Sequence, residues 1–420
     1  MALVVQKFGG SSVGDAARIG AVARRLIADK ERGDRVVAVV SAMGDVTDEL
    51  LELARQVSHD PPEREIDMLL ATGEQVTIAL LAMAIHSLGH DAVSLTGQQA
   101  GIMTDTGHTK ARIQEVGAGR VLEALDAGKI VIVAGFQGIS DEGEITTLGR
   151  GGSDTTAVAI AAGVGADVCE IYTDVDGVYT ADPRIVPTAR KIDEVSYEEM
   201  LEMAATGARV LQLRSVEFAR NHGVVMSVRS SFNDNPGTLV KEAEPGMEQA
   251  IISGVTYDTS EAKITIRDVP DRPGVAAEVF SHLADHNVNV DMIIQNVSED
   301  GLTDISFTTP DEDLARAKRT VEQVVTGLKA RSWSVDTSIA KVSLVGAGMK
   351  THPGVAAGMF RALADAGVNL DMIATSSIRI SCVIDAADVV KAVRALHTHF
   401  GLDAGAVTAE VSPGCGDRGE

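Results

Sequence analysis

Aromatic residues make up 3% of the 420-residue chain, with a single tryptophan, so a row of stacking platforms for single-stranded nucleic acid is not available. Positive charge is scarce as well. Thirty-seven Lys+Arg against 60 Asp+Glu leave a formal net charge of −23, and the basic residues are not gathered where they would meet a phosphate backbone. Nucleic acid is thereby excluded as the default partner. The three cysteines, Cys169, Cys382 and Cys415, are too far apart for a zinc spacing or a disulfide framework. They suit a reducing cytoplasm and read as structural or incidental. Long apolar runs are lacking too: the longest, residues 76–88, contains His86 and falls short of the roughly 20 residues that cross a bilayer. It reads as a buried helix, and no membrane is expected. The opening residues MALVVQKFGGSS enter a strand-like run with no basic n-region or small-residue cleavage site, so the expected location is the cytoplasm.

What the chain does have is ordinary globular composition, 45% hydrophobic and 23% charged, and a length that suggests two or three domains. From residue 1 to about 235, short β-branched runs alternate with longer amphipathic segments, the pattern of βαβ units around a mostly parallel sheet. Candidate strands are 3–7, 35–41, 92–95, 130–134, 168–172 and 224–228. Ligands of such sheets bind outside the carboxyl ends of the strands, so KFGGSS, SAMGDVTDE and AGFQG are expected on one rim.

The stretch NDNPGTLVKEAEPGM, rich in Pro, Gly and charge, reads as the end of the first domain and a linker. Beyond it, residues 271–298 and 351–378 agree at 14 of 28 positions at an offset of 80, an internal duplication. Each copy reads as a βαββαβ unit with a Pro-Gly turn before its first helix. Such a pair serves either as a dimerisation platform or as a small-ligand sensor, because a Pro-Gly turn at a helix N-terminus offers backbone N–H groups to a carboxylate. Both copies keep the turn and a later asparagine, Asn289 and Asn369, which packing does not require.

Three clusters in the first domain could carry chemistry. KFGGSS joins the first strand to a helix, with adjacent glycines and Lys7; alone it is also compatible with a plain strand turn. TTLGRGGSDTTA places Arg150 among glycines and Ser153 and Asp154 at the start of a small, apolar helix. Caps would explain the last two, but not an arginine suited to bidentate capture of a carboxylate or phosphate. YTDVDGVYTADPR holds Asp174, Asp176 and Asp182 in a turn-rich loop, either a polar surface or a nucleotide and Mg²⁺ site.

Taken together with SAMGDVTDELL, the GE of LLATGEQ and the duplicated unit, these motifs resemble the aspartate kinases of the amino acid kinase family, specifically the actinobacterial lysine-pathway type with tandem ACT domains. The resemblance covers essentially the whole chain. It implies an αβα amino acid kinase fold over residues 1–245, followed by two ferredoxin-like ACT domains at 262–338 and 341–415, the second also using strand 250–258. It implies transfer of the γ-phosphoryl group of MgATP to the β-carboxylate of L-aspartate, the first step toward lysine, threonine and methionine. By similarity Lys7, Arg150 and Asp154 are catalytic, while Thr47, Glu74, Gly152 and Ser153 join Arg150 on aspartate. Gly9, Gly10, Ser41, Thr173, Asp174, Tyr179, Asp182, Arg184 and Arg209 would serve ATP with Lys7. No residue is assigned directly to the metal, Mg²⁺ arriving with the nucleotide.

The ACT pair is expected to bind lysine, threonine or both between subunits of a homo-oligomer. The implied effector residues are Asp271, Gly274, Val275, Ala276, Asn289, Asp291, Gln295, Val355, Asn369, Leu370, Thr375 and Ser376. Two departures from the family pattern stand out: Arg209 where lysine is common, and Ser377 where a glutamate is common. Met247 could start a separate small regulatory subunit. A catalytically silent amino-acid sensor on the same scaffold is the competing reading, opposed by intact Lys7, Glu74, Arg150 and Asp154. The histidines, His397 and His399 among them, have no carboxylate or cysteine companions and are expected at the surface.

Overall fold

The runs RVVAVV and IVIVA are apolar at every position, which marks strands covered on both faces. The computed structural model, which describes residues 1–243, 252–296, 301–352 and 354–403, places both inside an eight-stranded sheet. The first half contains β1 (Leu3–Phe8), β2 (Arg35–Val40), β3 (Ala92–Leu95), β4 (Ile102–Thr104), β5 (Ile113–Val116) and β6 (Ile130–Ala134). It continues with β7 (Gln137–Ser140), β8 (Ile145–Thr147), β9 (Val168–Thr173), β10 (Glu194–Ser196), β11 (Met226–Ser230) and β12 (Thr238–Lys241). Its helices are α1 (Ala16–Glu31), α2 (Val46–Val57), α3 (Glu63–Ser87), α4 (Gly119–Asp126), α5 (Gly152–Val164), α6 (Tyr197–Ala205) and α7 (Leu213–His222).

The main sheet runs β10-β12-β11-β9-β1-β2-β6-β3, parallel except between β11 and β12. Alternate residues of its central strands feed two cores. Phe8, Ala38, Val40 and Ile132 face α1 and α3, whereas Val5, Val37, Val39 and Val133 face the α4 and α5 side. The result is the three-layer sandwich of the amino acid kinase reading. Helix α3 is long and apolar enough to span a membrane by length and composition, yet it packs on α1, β3 and β6 as a layer of this sandwich. A second, smaller sheet, β5-β4-β7-β8, went unread in the sequence because its strands are only three or four residues long. It carries the loops on either side of Arg150.

The duplicated half contributes β13 (Gly254–Asp258), β14 (Glu261–Pro270), α8 (Val275–Asp285), β15 (Ile293–Gln295), β16 (Leu302–Pro310), α9 (Leu314–Leu328) and β17 (Ser332–Asp336). The second copy follows with β18 (Ile339–Val345), α10 (Val355–Asp365), β19 (Met372–Thr375), β20 (Arg379–Asp385) and α11 (Val389–His399). Both helices that follow a Pro-Gly turn are capped by a glycine in the left-handed region, Gly274 at φ 95° and Gly354 at φ 104°, where a Cβ would be strained. The first sheet, β15-β16-β14-β17, is self-contained. In the second, β13-β18-β20-β19, the edge beside β18 is taken by β13, which precedes the whole first copy in sequence. The first unit is thus inserted between two strands of the second.

The copies meet by exchanging equivalent charges. Lys263 of the first pairs with Asp371 of the second, and Lys341 of the second pairs with Asp291 of the first, with Glu261 as an additional partner. Met292 and Met372, also equivalent, share a small apolar cluster at this contact. The duplication therefore generates a pseudo-two-fold interface within one chain.

Candidate active site

Because β1, β2, β6 and β9 are parallel neighbours, their carboxyl ends and the loops that follow share one rim. Lys7 stands at the end of β1, and its Nζ lies 2.6 Å from Oδ1 of Asp154 in the first turn of α5. The side chains are 14% and 9% exposed, so the pair is shielded but still reachable from the rim. Gly10, just after the strand, has no room for a side chain, since a Cβ would stand 3.0 Å from the carbonyl oxygens of Ala42 and Gly44. The close approach brings the β1 and β2 turns together, and Gly44 N–H donates to the Gly10 carbonyl. Helix α5 starts from Gly151, which has no side chain to cap it, and Gly152, Ser153 and Asp154 are buried in its first turn. Its positive end is therefore directed at the rim, where an anion is favoured.

Glu74 reaches the same rim from α3. Its Oε1 accepts the Ala42 N–H at 3.0 Å, while Oε2 is buried without a partner. Burial pushes the carboxyl up to about 7, against the weaker pull of backbone hydrogen bonds. Ser41, at the end of β2, and Thr47, in the first turn of α2, are half-buried beside it.

Arg150 is exposed in its glycine loop and lines a cavity of about 480 Å³ together with Lys110, Arg112 and Arg214. Sequence reasoning missed those three. The readable signal was the HTKAR run, whose Lys110 and Arg112 are placed by β4 and β5 of the small sheet. Arg214 is fixed by donating to the carbonyls of Leu148 and Ala111, and burial together with the Arg112 charge lowers its pKa. Glu312, from the first repeat, lines the same cavity, so that unit touches the arginine loop.

The loop after β9 carries the acidic motif. The Thr173 hydroxyl donates to Asp174, which is exposed, and Asp176 is engaged by Asn233 and Asn235. Burial raises the Asp182 carboxyl, but the Arg184 hydrogen bonds and charge outweigh it, leaving the group below the usual carboxylate range. Arg184 reaches Asp182 through Nε and Nη2, and Tyr257 of β13 donates to the same carboxylate at 3.1 Å. Tyr179 is half-buried in the same loop, and Arg209 is exposed after α6. Gly9, two residues after Lys7, lies against it, since a Cβ there would stand 3.5 Å from the Lys7 Nζ.

The residues implied as effector contacts divide in two. Asp271, Gly274, Gln295, Asn369 and Thr375 are exposed, with Val275, Ala276, Val355 and Leu370 in the adjoining helix starts and turn. Asn289, Asp291 and Ser376 instead have partners within the chain: Asp313, Lys341 and Glu202 respectively. Ser377 is exposed. Met247 and Cys415 lie outside the described residues; Cys169 and Cys382 are buried, with burial pushing both thiols up. The expectation of surface histidines without carboxylate companions fails at His108, half-buried with Nδ1 2.8 Å from the buried Asp67 carboxylate, and at His397, which is fully buried. Its position eight residues after Val389 puts it on the same face of α11 as the buried Val389, Ala392, Val393 and Leu396, a stripe its polar side chain obscured.

Residues 2–230 match the amino acid kinase family, and residues 264–326 and 342–400 each match the ACT domain. The chain is 58% identical over 407 residues to the aspartokinase of Mycolicibacterium smegmatis, covering 96% of this chain and 97% of that one. It is 56% identical, with the same coverage, to the aspartokinase of Corynebacterium glutamicum. Among solved structures, Escherichia coli aspartokinase III in complex with aspartate and ADP superimposes with a TM-score of 0.80 at 25% identity, covering 94% of this chain and 99% of that one. The same enzyme with lysine and aspartate gives 0.74 at 26% identity over 95% and 99%. With these relatives matched over nearly its whole length, and with a kinase rim joined to paired regulatory units, the chain belongs to the aspartokinase family.

Proposed function

We propose that this chain phosphorylates the β-carboxylate of L-aspartate with ATP, using the rim around Lys7 and Asp154. The attacking group is a carboxylate with an ordinary pKa near 4, already ionised at neutral pH, so no strong general base is required. The obstacle is that one anion must approach another. A β-carboxylate oxygen attacks the γ-phosphorus in line, the new O–P bond forms as the β,γ-bridging bond breaks, and ADP leaves with that electron pair. Lys7 meets the charge on the transferring group, held in place by Asp154, while the Gly9–Gly10 turn and the start of α5 supply backbone donors. Arg150 clamps the α-carboxylate within its basic cavity, and Glu74 with Thr47 holds the ammonium end. Ser41 borders the phosphates, and Thr173, Asp174, Tyr179, Asp182, Arg184 and Arg209 line the nucleotide.

Among the described residues no three metal-binding side chains form a cage. A magnesium ion arriving with the nucleotide would be held chiefly by phosphate oxygens and water, with the exposed Asp174 as the available carboxylate. Bound there, it would neutralise charge on the β- and γ-phosphates. The duplicated units take lysine, threonine or both as effectors; a family member solved with lysine and aspartate supports amino-acid control. Assembly into a homo-oligomer through these units belongs to the same proposal.

The observation that carries the reading is the Lys7–Asp154 pair set between a glycine turn and a helix N-terminus. The test is ADP formation dependent on aspartate, with hydroxylamine trapping of the acyl phosphate. Aspartate-dependent ADP without a trappable product would overturn carboxylate transfer, and no aspartate dependence would favour the silent sensor.

A further inference from the structure

The loop between β9 and β10 carries Tyr179, Asp182 and Arg184 without any long regular element to hold it. What fixes it is Thr180, buried at its middle. The Thr180 N–H donates to the Arg190 carbonyl at 2.8 Å, its Oγ1 accepts the Arg190 N–H at 2.9 Å, and its carbonyl accepts Val255 N–H of β13 at 2.8 Å. The remaining contact comes from α11, the last helix. His397 places Nε2 2.9 Å from Thr180 Oγ1, across 217 residues of sequence.

His397 has no exposed surface, and its Nδ1 is buried without a partner. An apolar ring would fill the same space without an unpartnered nitrogen, so packing alone does not account for histidine here. The surrounding contacts serve the same junction. Arg394 of α11 donates to the Ile185 carbonyl, and Arg190 donates to the Leu402 carbonyl just beyond the helix, each at 2.8 Å. Two residues from Thr180, Asp182 is held by Tyr257 of β13. The second repeat thus grips the loop from a helix and from an edge strand.

We propose that His397 is a positioning residue for the nucleotide: by fixing Thr180 it sets the placement of Tyr179, Asp182 and Arg184, so the second regulatory unit tunes ATP affinity. The inference rests on the assignment of this loop to ATP. The test uses the full chain with His397→Phe, which keeps a ring, His397→Gln, whose amide can reach Thr180, and Thr180→Val. In His397→Phe the KM for MgATP and the calorimetric Kd for ADP rise about five- to twentyfold, while kcat and the KM for aspartate stay within about twofold. His397→Gln restores most of the loss. Thr180→Val repeats it, and the double variant is no worse than the poorer single one, as for two halves of one contact. Unchanged nucleotide constants in folded His397→Phe overturn the proposal, as does a change confined to aspartate. Should His397→Phe not fold, unchanged constants in Thr180→Val overturn it equally. A parent without aspartate-dependent turnover refutes the kinase reading instead, and the ADP titrations still decide the role of His397.

Discussion

Two lysines on strands face carboxylates in this protein, and they are put to opposite uses. Lys7 pairs with Asp154 at the open end of the kinase sheet, 14% exposed, beside a glycine turn and a helix N-terminus. Lys341 pairs with Glu261 and Asp291 at the junction of the two repeats, 1% exposed. Burial alone would lower the Lys341 pKa, but its two carboxylates outweigh that and raise it. A charge sealed on all sides can only hold structure together, whereas a charge shielded yet reachable can meet a substrate that carries its own. Access rather than pairing separates the two.

The sharpest way to break this comparison is to remove both lysines in turn and ask whether stability and turnover separate. Lys341→Met leaves two carboxylates at the repeat junction without their cation, and should cost about 3–5 kcal/mol of stability in denaturant unfolding. Turnover per folded molecule should stay within a few-fold. Lys7→Ala should lower kcat by about 10²–10³ and, since it leaves only the shielded Asp154 without its cation, cost less stability than Lys341→Met. If Lys341→Met abolishes catalysis in fully folded protein, the sealed pair is not purely structural.

Glu74 gives a smaller effect that pH can read. Its carboxyl is pushed up to about 7 by burial, so it carries its proton in mildly acidic solution. Holding an ammonium group needs the ionised form. The KM for aspartate should therefore fall by about tenfold as pH rises from 6 to 8, and Glu74→Gln should flatten the profile at a high KM. The fold has the opposite slope. The native carboxyl holds its proton more tightly than the unfolded one, so this group weakens stability as pH rises from 4.5 to about 7. A pH-independent KM for aspartate in the parent would remove Glu74 from the ammonium end. The smallest effect is expected at Arg379, whose largely shielded pair with Glu202 joins the second repeat to α6 at 3.1 Å. Arg379→Ala should cost about 1 kcal/mol, read as a small fall in unfolding midpoint with kcat retained.

Much of the fold was legible because it is written in local periodicity. Uniformly apolar runs marked the central strands, and six candidate strands correspond to β1, β2, β3, β6, β9 and, displaced by two residues, β11. The small sheet was not legible, since three- and four-residue strands carry too little pattern to separate them from turns. That omission hid Lys110 and Arg112, which the β4–β5 loop brings to Arg150, where Arg214 joins them from α7. His397 was misplaced for a different reason: its spacing from Val389 and Val393 put it on the apolar face of α11, but a histidine there was read by its polarity, and only its partner, 217 residues away, needed the tertiary structure.

The sequence by itself determined the layered kinase sheet, the duplication and the motifs that mark the family, because each depends on residues a few positions apart or on a repeat at fixed offset. It also determined an acidic chain whose anionic substrates must be met by a local island of positive charge. Only the tertiary structure decided how that island is built, and which lysine is sealed and which is reachable. Those outcomes depend on distance and dielectric between elements far apart in the chain, quantities that neither composition nor periodicity encodes.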